Sequence, residues 1–164
     1  MTAALLVALA CASTDPRPVI EEMHRRYARA IVRDDQAAMD ELARDRYRPD
    51  FVFTKSDGRQ FGFWTSFEGS RYEAEARRAG RPDGPHLYQT TLKNWKRSGD
   101  RLTVEAHHRV EGSWLQGDKR HPVSYRNVIR ETWVNGPSGW QAVRFDELWV
   151  RGQMHGKKFA FKRG

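Results

Sequence analysis

The stretch RETWVNGPSGWQAVRFDELW, Arg130 to Trp149, decides how this chain is read. Two apolar-rich runs flank Asn135-Gly136-Pro137-Ser138-Gly139, a cluster of turn formers, so the stretch predicts an antiparallel hairpin. A turn centred near Gly136 and Pro137 opposes Trp133 to Gln141, Glu131 to Val143, Ile129 to Phe145 and Asn127 to Glu147. Side chains alternate across a strand, so Tyr125, Asn127, Ile129, Glu131, Trp133, Val143, Phe145, Glu147 and Trp149 share one face. The other face carries Arg126, Arg130, Arg144 and Asp146, with Val128 and Leu148 between them. The first face is the apolar one and belongs to the core. It nevertheless places Asn127, Glu131 and Glu147 in an aromatic wall, and polar groups in such a wall predict a pocket.

Working outward, the same alternation organises the preceding strands. In DRLTVEAHHRVEG, Leu102, Val104, Ala106 and Val110 take the inner parity and His108 shares it, while His107 takes the polar one. Strands are expected over His86 to Arg97, Arg101 to about Trp114, Val123 to Val134 and Trp140 to Arg151, joined by SGD, GDKRHP and NGPSG, which suit antiparallel connections. Upstream, Ser13, Thr14 and Asp15 offer N-caps for a helix whose apolar face is Ile20, Met23, Tyr27, Ala30 and Ile31. Asp34 or Asp35 caps a second helix carrying Ala38, Met39 and Leu42, which Pro49 forbids from continuing. DFVFTKSDGRQFGF is a hairpin about Ser56-Asp57-Gly58, and Trp64 to about Arg78 returns to helix formers anchored by Trp64, Phe67 and Tyr72. The expected fold is α+β, a cone in which a strongly bent antiparallel sheet wraps three N-terminal helices.

At 164 residues the chain suits a single domain. Six Trp, eight Phe and five Tyr supply large buriable surface despite an apolar fraction of 38%. Cys11 is the one cysteine, which excludes an internal disulfide and a cysteine-based zinc site. Residues 1–14 read as a signal or lipoprotein leader, 15–151 as the cone domain and 152–164 as a basic tail. The apolar run Ala3 to Ala10 is too short to span a membrane, and Leu9-Ala10-Cys11 partly resembles a lipobox, so Cys11 offers a lipid tether. The address this implies is secreted, periplasmic or lipoprotein-anchored, with an unstructured cytoplasmic leader as the alternative. The net charge of +8 is weighted to the C-terminus, but no nucleic-acid motif accompanies it, so no specific nucleic-acid partner is expected.

From about Pro18 to Val150 the chain resembles the nuclear-transport-factor-2-like superfamily, particularly its SnoaL-like and uncharacterised bacterial branches, through DFVFTKSDGRQFG after paired helices and RETWVNGPSGW followed by DEL. The resemblance implies a cone with an open mouth, any ligand inside it, and frequent dimerisation through the outer sheet face. Members include isomerases, dehydratases, epoxide hydrolases, cyclases and proteins without a reaction, so function does not follow from it.

The candidate site is a row across three strands, His108, Asn127 and Glu147, closed from above by Tyr27. A carboxylate beside an imidazole fixes its tautomer and raises its basicity, which suits proton transfer near neutral pH. His108 is then the base, Glu147 its orienting carboxylate, and Tyr27 and Asn127 oxyanion donors. Tyr88, Trp64, Tyr125, Glu131, Trp133, Phe145 and Trp149 are the expected ligand lining. A hydrogen-bond network that merely fixes the cone is the structural alternative. His24, His86, His121 and His155 are scattered without ligand spacing, so neither a metal site nor a cofactor is expected. Two functions stay open: binding of a small, mostly apolar oxygenated molecule, or a cofactor-independent lyase or isomerase reaction on one. Val128, Leu148 and Trp140, mixed with Arg126, Arg130, Arg144 and Asp146, make an outer face suited to a homodimer.

Overall fold

The structure, a computed structural model, describes residues 15–33, 35–62, 81–82, 86–116, 118–154 and 156–164. The leader, Trp64 and the expected third helix lie outside the described residues. Helix α1 spans Arg17–Val32 and α2 spans Gln36–Arg46. The N-cap of α1 is Pro16, whose fixed φ already suits a helix, and Asp15 Oδ1 accepts the Arg17 amide at 3.1 Å. Asp35 caps α2 by accepting from the Ala38 amide at 3.0 Å. The backbone turns extended at Tyr47, before Pro49 is reached.

Eight strands follow: β1 Tyr47–Thr54, β2 Gln60–Phe61, β3 Arg81–Pro82, β4 Leu87–Ser98, β5 Arg101–Gln116, β6 Lys119–Gly136, β7 Gly139–Met154 and β8 Lys157–Lys162. They form one curved, unclosed sheet in the order β2-β1-β7-β6-β5-β3, with β4 also on β5 and β8 also on β7. The sheet is mixed rather than antiparallel, because β1 runs parallel to β7 with Phe53 beside Phe145 and Thr54 beside Asp146. Turn residues reveal the pairing of consecutive strands only. β1 and β7 are joined by most of the chain, so nothing local announces their direction. The segment read as a basic tail completes β7 and returns as β8, with Gly152 opposite Phe159 and Val150 opposite Phe161.

The concave face carries the core. Leu102, Val104, Ala106, His108 and Val110 alternate inward along β5 and are all buried. Ile20 and Met23 of α1 and Leu42 of α2 pack on them with Phe51, Trp133, Trp140, Ala142 and Phe145. Trp140 therefore belongs to the core, with the Arg97 guanidinium 5.4 Å from its ring centre, rather than to an outer interface. Val128 keeps the outer parity, opposite His107 and Trp149, and is buried there.

Two bulges set the β6–β7 register. Gly136 pairs with Gly139, and Trp133 meets Ala142; then one bulge puts Glu131 opposite Phe145 and Ile129 opposite Glu147. A second puts Val128 opposite Trp149 and Asn127 opposite Val150. The expected partners Gln141, Val143, Phe145 and Glu147 are thus displaced by one, two, two and three residues. Beyond the bulges Tyr125 meets Gly152, where a Cβ would come within 2.6 Å of the Tyr125 Cβ and 2.3 Å of the Ser124 carbonyl oxygen. Only glycine lets the strands close there. Gly152→Ala is expected to lower stability by about 1–3 kcal/mol through overpacking, measured as a reduced urea midpoint at unchanged slope.

Candidate functional site

A carboxylate removed from water must be matched by donors, and Glu131 shows how this chain does it. Its side chain is 1% exposed. The indole Nε1 of Trp133, two residues along β6, donates to Oε2 at 3.0 Å. His24, projecting from α1, brings Nε2 to 3.1 Å of the same oxygen. That nitrogen is also 3.0 Å from Oε1, but its N–H is aligned only with Oε2, so Oε1 has no hydrogen-bond donor among the described residues. His24 reaches the sheet because it lies four residues from Ile20 and one from Met23, inside the buried stripe of α1.

A second histidine stands close by. The ring centres of His24 and His108 are 5.8 Å apart. Thr90 Oγ1, opposite His108 across β4 and β5, lies 2.9 Å from His108 Nδ1. Burial, reinforced by His24 and His107, lowers the pKa of His108 from 6.5 to about 3, so its ring is neutral near pH 7. Tyr88 lies 5.4 Å from the His108 ring and makes an edge contact with Tyr27 at 5.6 Å. Desolvation raises the phenols of Tyr47 and Tyr88 well above their usual value, and Tyr27 and Glu131 add to the effect. Those two phenols stay protonated and can donate hydrogen bonds.

The third group is Asn127, Glu147 and Ser56. Asn127 Nδ2 donates to Glu147 Oε1 at 3.0 Å. Ser56 supplies Glu147 Oε2 with its backbone N–H at 3.1 Å and its hydroxyl at 2.7 Å. Ser56 sits in the β1–β2 turn, held by the Lys55 amide on the Arg59 carbonyl at 2.8 Å and by Gly58 at φ +87°. Glu147 therefore latches this turn onto the sheet. Asn127 Oδ1 is buried and has no donor among the described residues.

No protein-family model matches the sequence, and no curated protein matches it. Solved structures do. A nuclear-transport-factor-2-like superfamily protein from Salmonella enterica superposes with a TM-score of 0.58 at 15% identity, covering 83% of this chain and 92% of that one. A protein from Cytophaga hutchinsonii, also described as nuclear-transport-factor-2-like, gives 0.53 at 13%, covering 81% and 97%. A protein from Kribbella flavida gives 0.56 at 20%, covering 80% and 88%. The chain has the nuclear-transport-factor-2-like fold. At such identities the likeness establishes the fold and leaves ligand and reaction to the side chains.

Within the nuclear-transport-factor-2-like cone, the expected row is only partly assembled. His108 is opposite Asn127, and Asn127 bonds Glu147. His108 itself bonds Thr90, and Glu147 is occupied by Ser56 and Asn127, so the two are not a base and its orienting carboxylate. Asn127 spends one of its two amide N–H groups on Glu147 and presents a buried carbonyl oxygen that has no donor among the described residues. The imidazole–carboxylate pair is His24–Glu131. Tyr27 and Tyr88 stand beside this group, while Trp133 and Phe145, with ring centres 6.0 Å apart, belong to the packed core. Tyr125 has the inner parity further along β6, opposite Val110. Trp149 pairs with Val128 and lies 5.3 Å from the exposed Arg151 guanidinium, so it faces outward and leaves the lining. Sequence reasoning missed His24, Thr90 and Ser56. The three- and four-residue spacing of His24 from Tyr27 and Ile20 was the available signal.

Two outcomes follow for stability. Glu131→Ala, which strips both His24 and Trp133 of their acceptor, is expected to cost about 3–5 kcal/mol, and Glu131→Gln distinctly less, by urea denaturation. His108 also makes stability pH-dependent. Its folded pKa lies below the unfolded value, so its contribution is complete above about 6.5 and is lost as pH falls from there toward 3, where only the unfolded chain takes up the proton. His108→Gln should flatten the fall of the urea midpoint across that window.

Proposed function

We propose that the concave face binds a small, mostly apolar molecule bearing a carbonyl or hydroxyl oxygen, and that His24 and Glu131 move a proton on it. The observation that carries this reading is the buried His24–Glu131 pair, 5.8 Å ring to ring from a neutral His108. Glu131 Oε1 and Asn127 Oδ1 hold unused hydrogen-bonding capacity among the described residues, within reach of an aromatic lining. A ligand with apolar flanks and a few oxygens matches such a surface.

The chemistry follows from the partners. With Nε2 directed at Glu131, the remaining ring nitrogen of His24, Nδ1, is the base, and the carboxylate fixes the tautomer and orients the ring. A proton on the carbon next to a ligand carbonyl passes to Nδ1, and the C–H electron pair moves onto the carbonyl oxygen as an enolate. When the Thr90 hydroxyl donates to His108 Nδ1, the ring proton sits on Nε2, and a neutral imidazole N–H is available to that oxygen. Return of the proton to another carbon is an isomerisation; loss of a β-hydroxyl, protonated by His24, is a dehydration. Both belong to the isomerase and lyase classes and need no cofactor.

A panel of small alicyclic and aromatic ketones, followed by proton NMR in deuterium oxide, tests both halves. Bound ketones are expected to exchange the hydrogens beside the carbonyl, and His24→Gln or Glu131→Gln to slow the exchange by about 10²-fold or more while binding changes little. Binding without exchange would leave a ligand-binding domain only. Absence of any saturable shift across the panel would remove the binding reading too.

A further inference from the structure

On the outer face, strand pairing aligns three arginines directly across three neighbouring strands. Arg109 on β5 is opposite Arg126 on β6, which is opposite Arg151 on β7. At about 4.8 Å per strand the row spans roughly 10 Å. Like charges directly opposite one another in a sheet are destabilising, so such a row is a cost that packing does not explain. Arg109 is held by Glu111, which accepts from its Nε at 2.9 Å. Arg126, Arg151 and Lys158 have no acidic partner among the described residues.

The next outer row runs Glu111, Ser124, Gln153 and Lys158. Between the two rows lie Val110, Tyr125, Gly152 and Phe159, and the open groove that all these residues line has a volume of about 670 Å³. That volume suits a small molecule. We propose that this groove binds a compact oligophosphate, whose neighbouring phosphate groups are shared among Arg126, Arg151 and Lys158 with Arg109 at one end. Guanidinium forks match phosphate oxygens in bidentate fashion, and Ser124 and Gln153 add neutral donors alongside. A second copy of this chain is the poorer occupant: a two-fold contact sets the same patch against itself and would oppose cations to cations.

The test is calorimetric titration of the full chain with inorganic tripolyphosphate at low salt. Expected are saturable binding, steep weakening with added salt, and at least tenfold weaker binding by Arg126→Ala/Arg151→Ala. Arg25→Ala/Arg29→Ala removes the same charge from α1, where both arginines pair with Glu22, and should bind as the parent does. Without phosphate, Arg126→Ala should melt slightly higher than the parent because a repulsion is relieved, and tripolyphosphate should raise its melting temperature far less. Equal weakening by the α1 pair, no binding at all, stronger binding to phosphatidylglycerol vesicles or single-stranded DNA than to tripolyphosphate, or dimerisation through this face would each overturn the proposal. The arginines have the opposite strand parity to His108, Asn127 and Glu131 and so lie on the other face of the sheet, which lets this result be read apart from the ketone experiment.

Discussion

Burying the Glu131 carboxylate is the constraint around which the rest is arranged. A charge held away from water costs several kcal/mol unless geometry supplies donors, and here they come from two elements. Trp133 donates from the same strand and is itself fully buried, so its indole is fixed by the core. His24 donates from α1, so the helix is tied to the sheet at one rotational setting. Ile20 and Met23 then fall into the core on one side of His24 and Tyr27 over Tyr88 on the other. Apolar burial contributes most of the energy of this docking, but burial is non-directional. The hydrogen bonds select which face of the helix is buried.

The concave face divides accordingly. Toward the β6–β7 turn, Tyr47, Phe51, Phe145 and Trp133 form a contiguous aromatic cluster, with Tyr47 and Phe51 stacked at 4.4 Å. Away from it, the inward positions become Glu131, His108, Asn127 and Glu147. Four buried polar side chains in one patch exceed what one latch needs. Glu147 accounts for the β1–β2 turn, and both of its carboxylate oxygens are occupied by that duty and by Asn127. Glu131 has a spare oxygen and a titratable partner, which is why function is better sought at the helix-facing pair.

Much of this was legible. Period two along β5 assigned every inward residue from Leu102 to Val110, because a single face of that strand is buried and register errors would expose it. The β1–β2 turn and the capping of α2 by Asp35 were equally local matters. What failed to show was non-local or exceptional. The parallel β1–β7 pairing depends on a contact between distant segments. β8 was hidden because lysines on an edge strand resemble a solvated tail. His24 was hidden because an apolar stripe is found by searching for apolar residues, and the one polar member of the stripe is the one that matters.

The bulge between Val128 and Ile129 connects the two faces. Continued without it, the ladder from Ile129–Glu147 would set Asn127 opposite Trp149 and Tyr125 opposite Arg151. A guanidinium would then point into the cone and Trp149 would fill the space over Asn127. One extra residue in β7 reverses the parity beyond Glu147, turning Val150 and Gly152 inward and Trp149 and Arg151 outward. The inner face thereby keeps Asn127 beside small or aliphatic neighbours. The outer face gains the third arginine of its row, opposite Arg126, with Trp149 packed under it. A single backbone irregularity thus clears the concave site of a cation and places that cation where a phosphate would need it.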